Sequence, residues 1–93
     1  MIARQGNRIV VQAPMLMSTA RALLEAGQGF WDAQTWEVDL SAVSEADSAG
    51  LAVLLEWQRH CQAAGGVLRV LGMPAGLAAL ADLYDLGAAF ARA

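Results

Sequence analysis

The stretch from Trp36 to Leu71 constrains this chain most. Trp36, Val38 and Leu40 alternate with Glu37, Asp39 and Ser41 at the period of two that a strand with one buried face requires. A short polar loop leads into an uninterrupted helical run from Ser48 to Ala64, which Gly65-Gly66 stops, and the aliphatic run Val67 to Leu71 follows. Two strands joined by a helix of this length pair in parallel, because the crossover returns the chain to the same end of the sheet. The compact aliphatic run Val67 to Leu71 suits a buried strand.

The flanking segments extend this unit in both directions. Gly6-Asn7 suits a tight turn between strands over Ile2 to Gln5 and Arg8 to Gln12. Ala20, Leu23 and Leu24 recur at helical spacing and predict a helix over Ser18 to Ala26, approached through Met15 to Met17 and stopped by a left-handed Gly27. Gly29 to Gln34 reads as a loop. Pro74 suits the first turn of a last helix carrying Leu77, Leu80, Ala81 and Tyr84 on one stripe, with Gly87 as its end. The predicted order is β-β-α-β-α-β-α, an α/β fold with helices packed on a small mixed sheet. At 93 residues the chain suits one domain spanning residues 1–93. It holds no apolar run of 18 residues, and the expectation is a soluble, cytoplasmic protein.

Several function classes are disfavoured by composition and geometry. All six basic residues are arginines (Arg4, Arg8, Arg21, Arg59, Arg69, Arg92), they are scattered, and the net charge is −3, so a phosphate backbone is a poor ligand. With no lysine there is no phosphate-binding loop, and Gly65-Gly66 closes a helix rather than opening one. Cys61 is alone and reads as core filler; His60 beside it points about 100° away on the same helix, so the two cannot share a metal. Ser48 and His60 stand about 18 Å apart along one helix, beyond hydrogen-bond reach. Asp39 and Asp47 lack a pocket around them, and Asp47 has a sufficient structural task as a helix cap. The expectation is a non-enzymatic protein without metal or cofactor.

What remains is the corner where the long helix begins. Ser48 sits at a helix start, rich in unpaired N–H groups, where contact with a partner is chemically reasonable; the alternative is that it or Asp47 merely caps the helix. Gly50 lowers helix propensity in the first turn, a cost that makes sense where a partner's backbone presses close. Glu37, Asp39, Glu45, Asp47 and Glu56 share a stretch without arginine or lysine, which suits a basic protein surface or simply a solvated edge. Along the helix, Leu51, Leu54, Leu55, Gln58, Cys61 and Gln62 form one arc assigned to the sheet. Ala49, Val53 and Trp57 fall on the far side beside Glu56 and His60. Trp57 there is either covered by a neighbouring helix or loop, or an exposed interface anchor continuous with Val53.

With Asp39-Leu40-Ser41 closing a strand and Asp47-Ser48-Ala49-Gly50-Leu51 opening the next helix, the chain resembles the STAS domain family. The family includes sulfate-transporter tails and anti-sigma-factor antagonists, and the resemblance covers nearly the whole chain. Gly50 to Trp57 and the closing Leu80-Ala81-Asp82-Leu83-Tyr84-Asp85-Leu86 look most like the small accessory subunits of Mla-type phospholipid-transport ABC complexes. The resemblance implies a non-catalytic subunit that binds the transporter's ATPase, in complex with its permease, at the cytoplasmic face of the inner membrane. Asp47, Ser48, Ala49, Gly50, Val53 and Trp57 are then the expected contact residues. In the antagonist branch of the family, the serine at this position is phosphorylated by a kinase partner, which makes Ser48 a candidate phosphorylation site.

Overall fold

The computed structural model describes residues 1–84 and 90–92. Strands β1 (Ile2–Gln5) and β2 (Arg8–Val11) form the expected hairpin about Gly6, whose φ of 62° meets the turn's demand for a left-handed residue. Helix α1 (Met17–Ala26), strand β3 (Thr35–Asp39), helix α2 (Ser48–Ala63), strand β4 (Val67–Leu71) and helix α3 (Ala75–Leu83) follow in the expected order. A two-residue strand β5 (Ala91–Arg92), absent from the sequence reading, pairs with β4. The sheet order is β1-β2-β3-β4-β5, antiparallel in the first pair and parallel in the others, so the mixed sheet is built as expected. Gly87, assigned as the end of the last helix, and the Asp85-Leu86 end of the closing segment lie outside the described residues.

Register sorts the side chains of the central strands. Ile9, Val38 and Val70 are cross-strand partners and all are buried, as are Val11, Trp36 and Leu68. One position away, Arg8, Glu37 and Arg69 are partners on the opposite face, where Arg8 and Glu37 form an ion pair at 3.3 Å. β4 is therefore not buried on both faces: Val67 and Arg69 are exposed, and its alternation matches that of β3. An aliphatic residue at the start of an open-face strand costs little, which is why density of aliphatics alone misleads here.

Helix α2 is the centre of the helical layer, packing against α1, α3 and β4. Its buried residues are Gly50, Leu51, Val53, Leu54, Trp57 and Cys61, while Leu55 and Gln58 are half-buried and Gln62 is exposed. Of the two readings of the far-side residues Val53 and Trp57, burial under a neighbouring helix holds and the exposed interface anchor does not. Each is 1% exposed, because α1 covers the flank of α2 that the sheet does not. Gly27 makes that packing possible. Its φ is −84°, so it is no left-handed stop; instead, a Cβ at this position would lie 2.6 Å from Trp57 Nε1. Glycine is needed there for space rather than for backbone rotation.

The candidate partner-binding corner

The corner lies beyond the carboxyl ends of the parallel strands, the end of an open α/β sheet at which sites usually assemble. β3 is closed there by an Asx-type turn: Asp39 Oδ1 accepts from Ser41 N–H at 2.9 Å and from Ser41 Oγ–H at 2.7 Å. Leu40 N–H donates to Leu71 O at 2.8 Å, holding the loop to the end of β4. The loop then runs beside Met15, whose N–H donates to Glu45 O at 2.9 Å and whose O accepts from Asp47 N–H at 3.1 Å. Met15 itself is fully buried.

Asp47 organises the helix starts. Its Oδ1 accepts from Ala49 N–H at 2.8 Å, capping α2, and its Oδ2 accepts from Met17 N–H at 3.2 Å at the start of α1. One carboxylate therefore ties the N-termini of two helices together, where its negative charge also meets the positive ends of both dipoles. Because Asp47 is the cap, Ser48 is released from that task and is exposed at the first position of α2. The tie also brings Met17 to the same corner with 79% of its surface exposed. The sequence pattern places Met17 only in the approach to α1. Its role becomes visible when Asp47 is seen bonding across 30 positions of chain.

The expected contact residues separate into two groups. Asp47 and Ala49 are half-buried and Ser48 is exposed at the corner; Gly50, Val53 and Trp57 are buried. Gly50 needs no external partner to explain it: an added Cβ would sit 3.1 Å from both Met15 O and Met15 Cβ and 3.5 Å from Leu77 Cδ1. The chain's own Met15 segment is what presses on this helix. The acidic stretch is also narrower in space than in sequence, since Arg8 pairs with Glu37 while Arg59 and His60 lie 2.7 and 3.4 Å from Glu56. Asp39, Glu45 and Asp47 remain as the acidic groups of the corner.

The Ser41 hydroxyl and N–H hold the Asp39 carboxyl below its ordinary value of 3.8, with a smaller contribution from Arg8. A depressed carboxylate stabilises the fold above its unfolded value and loses that contribution as pH falls through the folded one. Ser41→Ala is therefore expected to lower stability at neutral pH, with the difference from wild type shrinking as the pH drops below 3.8. Denaturant unfolding at a series of pH values checks this; a difference that stays constant into strong acid would show that Ser41 acts by other means.

A family model described as "Mlab, STAS domain" matches residues 1–90, and the chain belongs to the STAS domain family. Among solved structures it is similar to a protein of Thermotoga maritima described provisionally as an anti-sigma factor antagonist. The identity is 13%, coverage is 99% of this chain and 83% of that one, and the TM-score is 0.76. An anti-sigma-factor antagonist (STAS) domain protein of Planctomyces limnophilus gives 14% identity, 99% and 86% coverage and a TM-score of 0.73. A sulfate transporter family protein of Wolinella succinogenes gives 17% identity, 94% and 74% coverage and a TM-score of 0.71. At these identities the likeness establishes the fold. No curated protein matches significantly. Among the described residues, no helix is long and apolar enough to cross a membrane.

Proposed function

We propose that this chain is a non-enzymatic MlaB-like STAS subunit that binds the ATPase of an ABC transporter moving phospholipids between the inner and outer membranes. It acts at the cytoplasmic face of the inner membrane as a single module and takes part in maintaining outer-membrane lipid asymmetry. The observation that carries the reading is the corner itself. Asp47 caps α2 in place of Ser48 and draws in Met17, so an exposed hydroxyl and an exposed thioether stand together on a firmly tied framework. A flexible apolar side chain beside a small polar one is a suitable centre for a protein contact. The acidic residues around it favour a partner surface with positive charge. The match of the family model over residues 1–90 and its Mlab description support the choice of an MlaF-like ATPase as partner.

Binding to the purified cognate ATPase, measured by calorimetry or pull-down, tests the proposal. Ser48→Arg and Met17→Asp are each expected to weaken binding at least about tenfold, a loss of about 1.4 kcal/mol or more. Gln62→Ala, at the opposite end of α2, is expected to leave it unchanged. Wild-type affinity in both corner variants, with their folds intact by circular dichroism, would refute the interface.

The exposed Ser48 hydroxyl also favours a second reading, a phosphorylation-controlled anti-sigma-factor antagonist. Phosphate there would add about −1.5 to −2 charge beside Asp47 and Glu45 and so oppose docking of any acidic surface. Intact mass of the protein from its native cells separates the readings, since the switch requires a phosphorylated population located on Ser48.

A further inference from the structure

About nine residues along α2 from Ser48, or roughly 13 Å, a cavity of about 270 Å³ opens between the end of α1 and α2. Leu24, Gly27, Trp31 and Trp57 line it, and Glu56 and His60 lie on its polar side. Trp31 and Trp57 stand with ring centroids 6.0 Å apart at an interplanar angle of 49°, while Trp31 packs edgewise on Trp36 at 5.4 Å. The indole N–H groups of the two buried tryptophans fare differently. Trp36 Nε1 donates to Asp32 O at 3.4 Å, whereas Trp57 Nε1 has no acceptor, the only such buried side-chain nitrogen or oxygen among the described residues. A buried donor left unpaired is costly to the fold, so an acceptor able to reach it gains correspondingly.

We propose that this cavity is a binding site for a small uncharged planar molecule carrying a hydrogen-bond acceptor, which takes the Trp57 N–H. The aromatic walls supply stacking area, and the volume suits a one-ring compound. Net charge on the ligand is disfavoured from both sides. The Arg59–Glu56 ion pair at 2.7 Å leaves the polar side without net charge, so neither an anion nor a cation gains an unpaired partner there. The cover over Nε1 is the bare backbone of Gly27, the residue whose Cβ would lie 2.6 Å away. Reaching the N–H therefore requires displacing a turn without a side chain.

Amide and indole NMR of the whole chain tests this, with benzamide as the acceptor-bearing probe, toluene as the same ring without acceptor, and benzoate as the anion. The three tryptophans give three indole resonances, assigned by single Trp→Phe replacements. Benzamide is expected to move the Trp57 indole and Gly27 amide resonances saturably, and benzoate to bind more weakly. Trp57→Phe is expected to weaken benzamide about tenfold, equivalent to about 1.4 kcal/mol, without altering toluene. The proposal is overturned if benzamide leaves the wild-type Trp57 and Gly27 resonances in place. It is equally overturned if toluene or benzoate binds as well as benzamide, or if the Trp57 indole proton exchanges with bulk water as fast as an exposed one.

Discussion

Trp57→Ala is expected to cost about 3–5 kcal/mol of folding stability, the range for truncating a fully buried large aromatic. A domain of this size shifts its melting temperature by about 4–8 °C per kcal/mol, so the variant should melt at least about 12 °C below wild type. Thermal melts followed by far-UV circular dichroism, backed by urea unfolding, measure the change. The cause is local and explicit: Trp57 is 1% exposed, meets Trp31 at 6.0 Å and fills the space that Gly27 leaves open. Trp57→Phe keeps most of the packing and removes the unpartnered N–H, and should cost roughly 1–2 kcal/mol. A melting temperature for Trp57→Ala within a few degrees of wild type would mean that α1 does not cover α2 in solution.

This result also governs how binding data are read. On sequence grounds Trp57 and Val53 extend the Ser48 surface along one flank of α2, and loss of partner binding in Trp57→Ala would look like loss of a contact. In the folded chain both residues are buried, Trp57 against the Gly27 end of α1, so such a loss reports unfolding. Ser48→Ala is the contrasting case. Asp47 does the capping, so removing the hydroxyl from an exposed first-turn residue should change stability by less than about 0.5 kcal/mol. Effects of Ser48 variants on binding can accordingly be attributed to the contact itself, as those of Trp57 variants cannot.

Features set by local pattern were legible in the amino-acid sequence. The alternation through Trp36, Val38 and Leu40 and the length of α2 are each contained within one segment, and together they imply the parallel pairing of β3 and β4 that is found. The Ser48 helix start was equally readable, since Asp47-Ser48 is a capping pattern. The losses were all contacts between distant segments. α2 touches the sheet on one side and α1 and α3 on others, so it has more than one apolar flank, and periodicity cannot say which flank meets solvent. Met17 gave no signal of its own because its exposure depends on Asp47 reaching across to α1. β5 is two residues long and borrows its extended form from the edge of β4, so it carries no pattern of its own.

The neighbouring glycines after α2 should respond to substitution for different physical reasons. Gly65 holds φ at 83°, and the nearest atom to an added Cβ would be Ala33 Cβ at 3.6 Å, an ordinary contact. Gly65→Ala should therefore cost only the left-handed penalty of about 1–2 kcal/mol, and Gly65→Asn less, because asparagine tolerates this conformation. At Gly66 the backbone is unremarkable and space is the constraint. A Cβ there would overlap Asp32 O and lie 2.8 Å from Gln34 O and 2.9 Å from Cys61 Sγ. Backbone oxygens cannot rotate away, and Gln34 O is also the acceptor for Val67 N–H at 2.9 Å, so relief would pull β4 from its start. Gly66→Ala should cost about 3 kcal/mol or more, at the upper end of overpacking changes, and asparagine at this position should be no better. Urea unfolding of the four variants checks the pattern. Rescue of position 66 by asparagine would mean that conformation, and not the Asp32–Gln34 backbone, sets the requirement.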